Sequence, residues 1–242
     1  MARVVGRWPG QLRRYVSSRW FSTIMSAQNS SLERKERNEG LLRSLRVAVN
    51  PGLPQVESDG EAKFRDPKEV ARRAIVLYFV ISVAHGANRQ TASAWLKEEG
   101  LWNIVSPKEK EFLESNNPTE EEIISSTWQA EALWMLLWAL GKIEKLELPK
   151  ELCDVEVEQN LMSWTEQDSC TTFVNRAELR SPSEILNETD LIYRIHWAIV
   201  DARLNNKETP GGFDPGVVYE RHYALNWLTC YSDNWDDVTT DT

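Results

Sequence analysis

The chain has 242 residues, 41% hydrophobic and 27% charged, with a formal net charge of -9. That length suits one large domain or two small ones, and the balance is ordinary for a globular protein. Five of the 28 basic residues (Arg3, Arg7, Arg13, Arg14, Arg19) precede the first acid; without them 23 basic residues face 37 acidic ones, a net of -14. An acidic body repels phosphate backbones and anionic lipid, which argues against nucleic-acid and membrane-surface partners.

Residues 1–32 form a basic, acid-free extension. It resembles a mitochondrial transit peptide, with an Arg-x-Phe-Ser type context from Arg19 to Ser22. The plainer reading, favoured here, is a start assigned too early, with translation beginning at Met25. A disordered basic tail is the third. The expected compartment is therefore the cytoplasm, with the mitochondrion as the alternative if residues 1–21 are a genuine transit peptide.

Residues 33–64 read as an extended connector, because Asn50, Pro51, Gly52, Pro54 and Gly60 punctuate them. Helix starts then recur. "DPKE" from Asp66, "SPKE" from Ser106 and "SPSE" from Ser181 each give a side-chain cap, a Pro whose missing N–H costs nothing, and a Glu that reaches back. "NPTE" from Asn117 and "DPGV" from Asp214 are looser versions. Helices are predicted at about 67–85, 89–99, 107–115, 119–140, 166–180, 182–204 and 215–230. Residues 142–165 read as a surface loop with room for a short strand. The most apolar run, "AIVLYFVISVA" at 74–84, is shorter than the roughly 20 residues a bilayer span needs. The predicted fold is one all-α domain over 65–242, with about seven helices and a core rich in the chain's 11 Trp.

Helical periodicity places charges on apolar faces. Glu131 falls among Trp128, Trp134 and Trp138. Arg221 falls between Ala224, Leu225 and Leu228, and Arg73 shares a side with Val80. Asp190, Arg194, Trp197 and Asp201 follow one another along a single face. A lone carboxylate among aromatic rings is costly, so Glu131 is expected to meet Arg221, Arg194 or Arg73, and Asp190 and Asp201 to bracket Arg194. Such pairs fix helix register. The same residues, Glu131, Arg194, Trp197, Asp201 and Arg221, are the candidate binding set if they line a pocket. Glu220, Arg221 and His222 are neighbours in sequence but point about 100° apart, so they form no triad. Trp235 offers the acidic ending an apolar handle on the body.

No metal motif is legible. Cys153, Cys170 and Cys230 show no paired spacing, and His85, His196 and His222 lie far apart. A metal site of Asp236, Asp237, Asp241 and His222 would rest on a terminal segment. Neither a metal, a cofactor nor catalytic residues are expected.

Several stretches carry a family resemblance: "RRAIVLYFV", "WLKEEGLWNIVSPKEKEFL", "TWQAEALWMLLWALGKIEKLELP", "LIYRIHWAIVDARL" and "VVYERHYALNWL…WDDVTTDT". In that order they resemble the family catalogued as domain of unknown function 4272, over roughly residues 65–242. The resemblance implies a single helical domain with no assigned activity and no catalytic residues to carry over. The expected function is a non-enzymatic binding or protein-interaction module for a protein or small ligand. The alternative is an enzyme with a polar pocket of Glu131, Arg194, Asp201 and Arg221.

Overall fold

The computed structural model describes residues 30–154 and 169–242. The extension at 1–29 and residues 155–168 lie outside the described residues, and with them the second part of the 142–165 segment in which a strand was expected. The fold is all-α: the described residues hold eight α-helices and no strand. They are α1 (30–44), α2 (Pro67–Ala84), α3 (Arg89–Glu98), α4 (Pro107–Glu114), α5 (Glu120–Ala139), α6 (Cys170–Asn175), α7 (Pro182–Leu204) and α8 (Pro215–Leu228). Short 3-10 turns occupy Pro210–Gly212 and Trp235–Asp237.

The caps set these boundaries. Ser106 with Glu109, Thr119 with Glu122, and Ser181 with Glu184 form reciprocal capping boxes at α4, α5 and α7. Asp66 caps α2 through the Lys68 N–H, but Glu69 does not reach back. It is drawn off by Arg65 at 2.6 Å, a stronger charge-assisted partner. Gly141 closes α5 with φ 70, a conformation that side chains with a Cβ resist.

Helix α1 lies where the sequence reading placed the start of a connector. Its inward face is Arg34, Asn38, Glu39 and Leu42, all buried. Three of the four are polar or charged, so the apolar periodicity that reveals a helix is absent. α6 is shorter than the 166–180 expected, ending at Asn175.

The long helix α5 packs between α2 and α8, α7 packs on α8, and α6 rests on α2. Leu133, Leu136 and Leu137 of α5 meet Ile75, Val76 and Leu77 of α2 in a core that water does not reach. Among the described residues no helix is long and apolar enough to cross a membrane. The acidic ending docks through Trp235, whose ring packs on Tyr223 at 5.1 Å and Trp227 at 5.3 Å, under the Arg73 guanidinium at 4.1 Å. Tyr223 Oη also donates to the Trp235 carbonyl.

Candidate functional site

Glu131 and Arg221 meet where α5 crosses α8. Their side chains are 2% and 4% exposed, and Arg221 Nε stands 3.6 Å from Glu131 Oε2. That distance is an ion pair but not a hydrogen bond, and among the described residues neither atom has a hydrogen-bond partner. The other ends of the two groups are well used. Glu131 Oε1 accepts from the Cys153 N–H at 2.5 Å, and Arg221 Nη1 donates to the Glu147 carbonyl at 2.8 Å. Together they hold the chain that follows α5 across the α5–α8 seam, and Asp214 N donating to the Pro149 carbonyl ties it once more.

Glu131 also forms part of the wall of a cavity of about 380 Å³. Ile124, Thr127, Trp128, Leu152 and Cys153 line most of the rest. Ile124 and Leu152 are exposed at its edge. Trp128 is held by α8: a Cβ on Gly216 would stand 2.5 Å from its ring. Gly216→Ala is therefore expected to displace Trp128 into the cavity and cost about 1–3 kcal/mol. Urea denaturation checks it, and an unchanged midpoint would contradict the packing.

Arg194 is elsewhere. Its Nε and Nη2 donate to the two oxygens of Asp190 at 2.9 and 2.7 Å, and its Nη2 donates to the Pro54 carbonyl at 3.1 Å. Glu39 of α1 lies 3.6 Å away, and Asn38 donates to Asp190 at 2.9 Å. No hydrogen bond or ion pair joins this network to Glu131 or Arg221 among the described residues. Asp201 does not bracket Arg194; it accepts from Asn205, four residues on. Trp197 packs half-buried against the core. Arg73 binds Glu109 with both terminal nitrogens. The sequence-predicted set thus separates, with only Glu131 and Arg221 together. The acids imagined around a metal are likewise divided: Asp236 accepts from the Lys108 N–H and Asp237 from Asn234. Among the described residues no three His, Cys, Asp or Glu side chains gather to hold a metal ion.

Two more carboxyls stand beside Arg221 and Glu131: Glu220, which periodicity sets at the border of the Arg221 stripe, and Glu188, which periodicity did not reveal. Burial pushes Glu188 and Glu220 up to about 7. Arg221 partly offsets this for Glu188, and the Glu131 charge reinforces it for Glu220. Nor did it reveal His196 and His222, whose Nδ1 atoms lie 2.8 Å apart. Burial first, then His196, pulls His222 down to about 3.

These shifts oppose one another in stability. A carboxyl raised in the fold contributes stability that is present below about 4.5 and lost as pH rises to about 7. His222, depressed in the fold, contributes above about 6.5 and loses it as pH falls toward about 3. Glu188→Gln with Glu220→Gln removes only the first effect. The urea midpoint of that double variant is expected to rise more steeply from pH 4.5 to 7 than the parent's; equal slopes would contradict the assignment.

No curated protein and no solved structure matches the chain. A family model matches residues 34–238, reaching back from the expected 65 to take in most of α1 and the connector. That span covers most of the molecule, including Glu131, Arg194 and Arg221, and the chain therefore belongs to the family described as Domain of unknown function (DUF4272).

Proposed function

We propose that the protein is a small-ligand binding module whose site is the cavity beside Glu131, and that its ligand is an apolar amine. One observation carries this: a carboxylate, almost wholly buried, has an oxygen without a hydrogen bond and lies on the wall of an open apolar cavity. Apolar walls with one placed polar group are the usual make-up of a small-molecule site. Glu131 and Glu188 share the Arg221 guanidinium, and Glu220 adds a carboxyl beside Glu131, so the neighbourhood favours an added positive charge over an added anion. An ammonium would pair with the Glu131 carboxylate while its hydrocarbon body covers Trp128, Ile124 and Leu152.

The test compares 2-phenylethylamine with 2-phenylethanol and phenylacetate, which share a ring and differ in the polar end. Thermal shift is expected for the amine and not for the acid. No shift with the amine, or a larger one with phenylacetate, would contradict the reading.

A second reading, recognition of a basic protein segment, is favoured by a cleft of about 510 Å³ between α4, α5 and α8. Glu111, Glu121, Glu220 and Asp236 line it beside Tyr219 and Tyr223, with Lys108 as the cation. Carboxylates and aromatic faces together suit Lys and Arg side chains. Salt-sensitive binding of an Arg-rich peptide that Glu111→Gln with Glu121→Gln weakens would support it; equal binding by that variant would not. In either reading the compartment is the cytoplasm, in keeping with a sequence whose cysteines are few and show no paired spacing. Mitochondrial import of the full chain carrying a C-terminal tag would contradict that assignment.

A further inference from the structure

A second cavity, of about 670 Å³, lies on the far side of α8 between α7, residues 54–63 and Asp241. Its connector wall is fixed rather than draped. Arg194 donates to the Pro54 carbonyl, and Arg34 donates to the Glu57 carbonyl at 3.0 Å. The buried Arg194 network thus acquires a purpose in the fold: it ties α1 and α7 to this wall.

His222 lines the cavity although it is only 2% exposed. Its Nδ1 is committed to His196 Nδ1 at 2.8 Å, the two rings standing at 86°. Nε2 is the ring nitrogen left to serve the cavity. His196 is the more open of the pair, 8% exposed, with the exposed Tyr219 ring edge-on to it. A bond between two Nδ1 atoms needs one donor and one acceptor, so the rings are locked in complementary tautomers. Turning one ring's tautomer over requires turning the other's.

We propose that His196 and His222 form a tautomeric proton relay, and that His222 Nε2 is the acid–base group of a site for an uncharged hydroxylated small molecule. In the accepting state His222 carries its proton on Nδ1 and His196 on Nε2. A ligand hydroxyl gives its proton to His222 Nε2 and takes another from solvent in the cavity. The His222 Nδ1 proton passes to His196 Nδ1, and the His196 Nε2 proton leaves to solvent. The ligand keeps its hydroxyl with the hydrogen exchanged, both rings have exchanged tautomers, and neither ring nor ligand has become charged. Burial supports this, since it holds both imidazoles below the ordinary histidine range, with Arg203 adding to the effect at His196 and Asp241 opposing it at His222. A lone imidazole so depressed would be a poor base, whereas a relay never stores the extra proton. The wall selects the ligand. Glu57, Glu61 and Asp241 outnumber Lys63, which repels anions, and carboxylates and the Tyr193 phenol suit hydroxyl groups. This inference is independent of the Glu131 cavity.

The test is nitrogen NMR of the full chain with labelled histidine. His222 is expected to remain neutral from pH 5.5 to 8, and the nitrogen shifts of the paired rings to be averaged between tautomers at pH 8. His196→Gln, whose amide can donate to His222 Nδ1, is expected to abolish the averaging and hold His222 protonated on Nε2. Ribose is expected to shift the His222 Nε2 resonance and ribose 5-phosphate to leave it. Fixed tautomers in the parent, a His222 ring that charges in this range, no shift with ribose, or an equal shift with the phosphate would each overturn the proposal. The parent readings need no variant, so they stand even if His196→Gln fails to fold.

Discussion

Glu109→Ala is expected to lower stability by about 3–5 kcal/mol. Arg73 and Glu109 are 1% and 2% exposed and joined through both terminal nitrogens of the guanidinium. Glu109 Oε2 also accepts from the Ser106 N–H at 2.9 Å, closing the box that starts α4. Alanine would break the box and leave a guanidinium charged in the core, under Trp235 and with Nε already unpartnered. For a chain of this size the loss corresponds to a fall of roughly 6–20 °C in Tm. Removing both charges is expected to cost far less, because a buried pair exchanged for apolar groups of similar volume is often near neutral. Arg73→Met with Glu109→Leu should therefore recover most of the stability. A Glu109→Ala midpoint within experimental error of the parent would contradict the burial of this pair.

Glu131→Ala is expected to fall at the low end of the same range, about 3 kcal/mol. The charge it strands, Arg221, is as buried as Arg73 but less dependent on its partner. The Arg221–Glu131 contact is a 3.6 Å ion pair without a hydrogen bond, and Arg221 keeps the Glu147 carbonyl after the change. The Cys153 N–H loses its acceptor. Denaturation of both alanine variants side by side checks the order. A loss below about half a kcal/mol would place Glu131 in water rather than in the core. The order matters for function, because a carboxylate only partly satisfied within the fold has hydrogen-bonding capacity left for a ligand.

Helix starts were legible because caps are local: three residues after Ser106 or Ser181 the sequence already contains the Glu that closes the box. The boundaries of α2, α3, α5 and α7 follow from such signals to within a residue or two. α1 was not legible, since Arg34, Asn38 and Glu39 are buried by their partners rather than by hydrophobicity. Arg34 binds Asp59, and Glu39 lies beside Arg194. Those partners are distant in sequence. The meeting of Glu131 with Arg221 could be anticipated from periodicity, because a carboxylate on an apolar face needs a cation from the helix opposite. Periodicity could not choose among three arginines. The structure assigns Arg73 to Glu109 and Arg194 to Asp190 because α4 and the first turns of α7 bring those acids closer. Likewise nothing in the spacing of His196 and His222, 26 residues apart, announces a shared hydrogen bond. It arises from how α7 crosses α8.

If Glu131 anchors an apolar amine, calorimetric titration of 2-phenylethylamine into the parent and into Glu131→Gln will separate the two proteins. Glutamine keeps the size of the side chain and removes the charge. A charge-assisted hydrogen bond of ordinary strength predicts Kd about ten- to hundredfold weaker in the variant. The same Kd in both proteins, or no saturable binding to the parent, would contradict the account.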